Sequence, residues 1–220
     1  MTTLARALTL GGLACLAAIT FASPGATRMW ATPWTLLLGA TSILPAAALI
    51  LRALDVRAPL ALPSRGWLAT TCAGVAVVLL SAALSPFAGI SLRWSAPLLA
   101  APAWFLVAFD WLHHNPAAHA NRSSLLARAG LLAALAVSVV SIGLWLPVVL
   151  QVGLRGAAVS RNAFPLGHSN YTAGLALLIL PLAVSGIWRH RGIWRALAVL
   201  TALLALAMIY SSSSRGGVLG

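Results

Sequence analysis

The chain has 220 residues, of which 61% are hydrophobic and only 7% charged, against about 25% charged in ordinary soluble domains. So little polar surface cannot coat a water-soluble globule, and the composition points to a chain that uses lipid as its solvent. The net charge is +12, carried by fourteen arginines against two acids, Asp55 and Asp110; because the arginines stand between apolar runs rather than along one solvated face, the charge does not indicate nucleic acid.

A membrane-spanning helix needs about 20 mostly apolar residues to cross a hydrocarbon core of about 30 Å. Seven runs meet or approach this length: 4–22, 33–51, 67–85, 97–112, 127–150, 171–188 and 196–212. The fold class expected is therefore an all-α, polytopic membrane helix bundle, a single transmembrane domain over 1–220. All spans are helical because an open strand leaves its backbone unsatisfied in lipid. Residues 1–26 have signal-peptide features: Arg6, an apolar stretch, then small residues. With six further spans behind it, a retained first helix is the expectation. Its small residues, Gly11 to Ala18, let helices approach closely. Pro45, Pro102, Pro147 and Pro181 lie inside runs and predict kinks that serve packing. Trp30, Trp34, Trp67, Trp94, Trp111, Trp188 and Trp194 fall at run ends, as in an interfacial belt. Cys15 and Cys72 lie within apolar runs and carry no redox information.

Placing the N-terminus in the cytoplasm puts nine arginines inside (6, 52, 57, 65, 122, 128, 189, 191, 195) and five outside (28, 93, 155, 161, 215), in keeping with the positive-inside rule. Asp55, between Arg52 and Arg57, is expected to be a surface partner, and Asp110, beside Trp111, a snorkelling interfacial acid. His113, His114 and His119 lack a helical i, i+4 pair and a supporting acid or cysteine, so no metal site is expected. The same orientation sends the 151–170 connection and the end of the last run to one external face. Arg161, His168, Asn170 and Arg215 then converge on one mouth. Asn170 suits the N-cap of the sixth span, with Ser169 as the alternative, and Gly167 allows the tight turn before it. A capped helix start and arginine guanidinium groups both attract phosphate. The plainer reading is a cap, an interfacial histidine and a flanking arginine.

Two motifs bear on that choice. GHSNYTAG at Gly167–Gly174 opens an apolar run containing LILPLA, and the next run ends in SSSSRGG at Ser211–Gly217. The pair resembles the O-antigen ligase and polymerase family, bacterial polytopic enzymes that act on lipid-linked glycans; the likeness is concentrated in residues 161–220. The resemblance implies a GT-C-like helical fold in the bacterial inner membrane with a periplasmic mouth. It implies a glycan donor on undecaprenyl diphosphate and a sugar acceptor such as lipid A core, a growing polysaccharide or a protein, with no cofactor. Arg215 would be catalytic, engaging the donor diphosphate, with Ser214, Arg161, His168 and Asn170 as substrate-binding residues. Family members run to about twelve spans and carry a catalytic histidine in a later external loop. This chain is accordingly expected to be an N-terminal part lacking that base, a role not given to His168. A transporter or channel for an anionic solute is the rival expectation, ranked lower because the spans show scattered Ser and Thr and no buried charge pair. A purely structural membrane subunit is a third.

Overall fold

The computed structural model describes residues 3–21, 32–56, 59–159 and 161–213. Among them every regular element is helical: α1 (Thr3–Phe21), α2 (Trp34–Ala53), α3 (Arg65–Ala83), α4 (Ala88–His113), a 3-10 turn at Pro116–Ala118, α5 (His119–Val159), α6 (Ser169–Arg189) and α7 (Ile193–Ser212). Six stretches are long and apolar enough to cross a membrane: α1, α2, α3, Pro116–Gly153 including most of α5, α6 and α7. The protein has the build of a multi-pass membrane helix bundle. The run expected at 97–112 lies within α4, which has 26 residues but is not among those six stretches of the described residues. Trp34, Trp67, Trp111, Trp188 and Trp194 each sit in a first or last turn. The sharp break in α5 is at Gly153, with φ 73° and ψ 169°, six residues beyond Pro147. Only glycine adopts such a backbone without strain.

The chain divides into two compact units: Met1–Ile19 with Thr32–Ala120, and Thr20–Ala31 with Asn121–Gly220. In the first, α1 meets α4 through Gly12. A Cβ there would stand 2.8 Å from the Trp104 ring, so the absent side chain is what admits the indole. Trp104 Nε1–H in turn donates to the Thr41 carbonyl at 2.9 Å, tying α4 to α2. Trp67 of α3 stacks on Phe105 of α4 with ring centroids 4.2 Å apart.

The polar fastening of this first unit differs from the sequence expectation. Asp110 is no snorkelling interfacial acid, whereas Asp55 makes the weak partner contact expected of it. Arg52, 1% exposed, meets Asp110, 2% exposed, with Nε 2.9 Å from Oδ2 and Nη2 3.4 Å from Oδ1. Asp55 contributes a longer contact of 3.7 Å. A guanidinium has only donors, so Arg52 Nη2 also donates to His114 Nδ1 at 2.8 Å and to the Pro59 carbonyl at 3.3 Å. Asp110 Oδ1 accepts from the Ala61 N–H at 2.9 Å. The ends of α2 and α4 and the 59–61 segment thus share one buried, two-pronged ion pair. The expected absence of a buried charge pair is corrected with it: one exists, 58 residues apart in sequence. Of the other two histidines, His113 Nδ1 lies 2.9 Å from the Phe109 carbonyl and His119 Nδ1 lies 3.2 Å from the Leu112 carbonyl.

In the second unit, α6 and α7 form an antiparallel pair, joined by three residues, 190–192. Their seam is made of small residues: Ala176, Ala183 and Gly186 face Ala198, Ala202 and Ala205, all buried or nearly so. A Cβ on Gly186 would stand 3.1 Å from that of Ala198. Ala134 and Val137 of α5 join Ile179, Met208 and Ile209 in the core. At the amino end of α7, the Arg128 guanidinium lies over the Trp194 ring, 5.0 Å from its centroid.

Removing one partner of a buried ion pair strands the other charge, which costs about 3–5 kcal/mol, whereas replacing both by apolar groups of similar size is often tolerated. Asp110→Ala should therefore destabilise the protein by about that amount, and the double variant Arg52→Met with Asp110→Leu should regain most of it. Thermal unfolding in detergent reads the difference. Equal losses in the single and double variants would show that the pair is not what holds these helix ends.

Candidate functional site

The polar stretch that follows α5 is fastened to the end of α7 by Asn162, which is fully buried. Its backbone N–H donates to the Ser211 carbonyl at 2.8 Å. Its side-chain Nδ2 donates to Ser141 Oγ at 3.2 Å and to Ser211 Oγ at 3.1 Å. Its Oδ1 accepts from the Phe164 N–H at 3.0 Å, closing a local turn of the kind asparagine favours. The Phe164 carbonyl then accepts from Ser141 Oγ of α5 at 2.6 Å and from Thr172 Oγ1 of α6 at 3.1 Å. One asparagine and one carbonyl therefore bind the connection to α5, α6 and α7 together. Ser141, Asn162, Thr172 and Ser211 are each no more than 2% exposed. Buried polar groups without partners are costly in an apolar surround, and here they satisfy one another.

Helix α6 starts on a different cap from the one expected. The N-cap is His168, not Asn170 or Ser169. Its extended backbone, φ −146° and ψ 129°, is the N-cap conformation, and its Nδ1 accepts from the Asn170 N–H at 3.2 Å. Gly167 at φ 74° supplies the expected tight turn just before it. The His168 ring also lies against Tyr171, with centroids 5.0 Å apart. Asn170 itself sits exposed in the first turn of α6.

Arg161 is exposed and has a left-handed backbone at φ 35°. That region is unfavourable for a side-chain-bearing residue and persists where neighbours over-determine it; the bonds of Asn162 next door do so. At the far end, Ser213 closes α7 in the left-handed conformation, φ 47°. Ser211 and Ser212 turn inward, with Ser212 Oγ donating to the Ile209 carbonyl at 2.7 Å. Ser214 and Arg215 lie outside the described residues. Of the five residues singled out in the sequence, the described three, Arg161, His168 and Asn170, all stand on the connection and helix start that Asn162 fastens.

The residues that build the site, Asn162, Ser141, Thr172 and Ser211, were not among the sequence candidates. The available signal was a pair of serines, Ser138 and Ser141, three apart in an otherwise apolar run, with an asparagine directly after Arg161. The electrostatic setting is one-signed. Residues 121–220 contain eight arginines and no acid. Among the described residues no three His, Cys, Asp or Glu side chains gather as a metal site.

Asn162→Ala removes three side-chain hydrogen bonds from a buried cluster. Each is worth about 0.5–1.5 kcal/mol, and stranded partners add to the loss. A destabilisation of about 2–4 kcal/mol is expected, with faster proteolysis in the 161–168 connection. A melting temperature and cleavage pattern like those of the unaltered chain would contradict the pinning role. No protein-family model matches the chain, and comparison with curated proteins and with solved structures found no match.

Proposed function

We propose that this protein is an O-antigen ligase-like membrane glycosyltransferase, or the part of one that builds the donor mouth. In this reading it passes a glycan from undecaprenyl diphosphate to a sugar or other acceptor at the periplasmic face of the bacterial inner membrane. The observation that carries the reading is the bond between Asn162 and Ser211. It brings the Arg161–Gly174 stretch against the serine end of α7, whose sequence continues four residues on to Arg215. In this reading Arg161 and Arg215 serve one diphosphate.

The chemistry asks for such a pair. The bond between the sugar's anomeric carbon and the diphosphate oxygen breaks, the diphosphate leaves with the electron pair, and the acceptor hydroxyl oxygen bonds to that carbon while a base takes its proton. Fixed cations stabilise charge that develops on the leaving group. Arginine holds phosphate oxygens in two-pronged fashion and stays charged at any working pH. His168 is not the base in this scheme: its Nδ1 is engaged by the Asn170 N–H as a helix cap.

A second reading, passage of an anionic solute, draws on the buried Arg52–Asp110 pair, since intramembrane ion pairs often mark transport paths. The pair's donors and acceptors are engaged at the ends of α2 and α4, which suits a fastening better than a path.

In the full-length enzyme, Arg215→Ala should lower glycan transfer by about 10²–10³-fold, the usual effect of losing one transition-state electrostatic contact, at unchanged membrane expression. Transfer from a labelled undecaprenyl-diphosphate glycan measures it. Transfer that survives unchanged, or uptake of a labelled anion into liposomes that Arg52→Met abolishes, would favour the transport reading instead.

A further inference from the structure

The turn that joins α6 to α7 gathers basic groups at one end of the second unit. Arg189 closes α6, Arg191 lies in the turn, and Arg195 stands in the first turn of α7. Arg128 of α5 reaches the same end, its guanidinium 5.0 Å from the Trp194 ring centroid. All four are exposed, and residues 121–220 contain no acid to answer them. The 161–168 connection stands at the other ends of α6 and α7, so the proposed mouth does not use these arginines.

From Arg195 a shallow groove runs along α7, lined by Gly192, Arg195, Ala196, Val199, Leu200 and Leu203. Residues 192, 196, 199 and 203 are spaced i, i+4, i+7, i+11 and share one helix face. That face is turned away from the α6 seam. Ala198, Ala202 and Ala205 of the seam are buried, whereas Val199, Leu200 and Leu203 are 40%, 45% and 59% exposed. A Cβ on Gly192 would meet no atom within 4 Å, so the entrance beside Arg195 is open. Gly192 and Leu203 bound the groove; at about 1.5 Å rise per residue it extends about 16 Å, close to one leaflet's share of a hydrocarbon core of about 30 Å.

A lipid matches both the charged head and the apolar length of this groove. A second copy of the chain does not. In a symmetric pair within one membrane the same patch meets itself, which sets Arg195 against Arg195, and like charges brought together are costly. A headgroup with net negative charge answers the arginines. Arginine grips phosphate oxygens in two-pronged fashion, and basic residues at a membrane surface attract anionic lipid.

We propose that the groove binds one anionic glycerophospholipid, its phosphate held by Arg195 with Arg191 in the adjoining turn, and one acyl chain lying along Ala196, Val199 and Leu203. The site needs only that the chain spans a membrane and is independent of the glycosyltransferase reading.

The test places the whole chain in phosphatidylcholine nanodiscs with a trace of phosphatidylglycerol that carries a diazirine midway along one acyl chain. After irradiation, cross-links mapped by mass spectrometry should concentrate at 199–203. Unlabelled phosphatidylglycerol should displace them, and the same excess of phosphatidylcholine should not. Arg195→Gln should weaken that displacement about fivefold, the effect of one arginine beside an anionic headgroup. Ala196→Trp fills the groove with every charge kept and should abolish the cross-links; if one variant fails to fold, the other reads the site. Cross-links spread evenly over other helices, equal displacement by phosphatidylcholine, or displacement unchanged in Arg195→Gln would overturn the proposal. Disulfide-linked dimers of Leu203→Cys, made with Cys15 and Cys72 replaced, would put a second copy on this face and overturn it too.

Discussion

A chain that lives in lipid must answer its own polar groups, and at Asn162 that requirement shapes the whole second unit. An irregular connection at the edge of an apolar bundle exposes backbone donors and acceptors that the helices on either side do not need. Where such groups are buried, every unmet one is expensive. Asn162 meets the end of α7 with its backbone and side chain, meets α5 through Ser141, and holds its own turn through Phe164. The left-handed backbone of Arg161 and the glycine turn at Gly167 follow from how the chain must bend to reach these partners. With the connection fixed, the start of α6 and the end of α7 become neighbours, and the exposed arginine beside Asn162 is held at a defined place.

The first unit solves the same problem with charge. Arg52 and Asp110 lie at the ends of α2 and α4, and each is surrounded by further partners, so neither charge is left uncompensated. The two fastenings differ in what they leave available. The ion pair consumes both acids' side of the balance, since Asp55 and Asp110 both contact Arg52. The asparagine cluster consumes only neutral groups, and Arg161 beside it is exposed; in the proposed reading that arginine serves the donor diphosphate.

What the sequence made legible was what hydropathy and local chemistry encode. The apolar runs gave the helices and Gly167 marked the turn; Trp34, Trp67, Trp111, Trp188 and Trp194 marked helix ends, whereas Trp94 lies inside α4 and Trp30 outside the described residues. The α6–α7 antiparallel pair followed from a connection too short for any other arrangement. Pairings across long sequence separations were not legible. Arg52 and Asp110 are 58 residues apart, and nothing local marks them as partners until the helix packing brings α4 alongside α2. The cap on α6 was misassigned for a related reason. Asparagine is the better cap by propensity, but the turn at Gly167 delivers His168, in extended conformation, to the position where a side-chain acceptor meets the Asn170 N–H. Asn162 was passed over because an asparagine in a polar stretch looks solvent-facing; only the approach of α5 and α7 buries it.

The central claim is that the Arg161–Gly174 stretch and the serine end of α7 form one mouth for a lipid diphosphate on one side of the membrane. Thiol labelling tests it most directly. In a background with Cys15 and Cys72 replaced, single cysteines at Ala163 and Ser213 should both react with a membrane-impermeant maleimide applied from outside, and a cysteine at Arg191 should react only from the opposite side. Undecaprenyl diphosphate should slow labelling at 163 and 213 and leave 191 unaffected. Labelling of 163 and 213 from opposite sides, or no protection of either by the lipid, would contradict it.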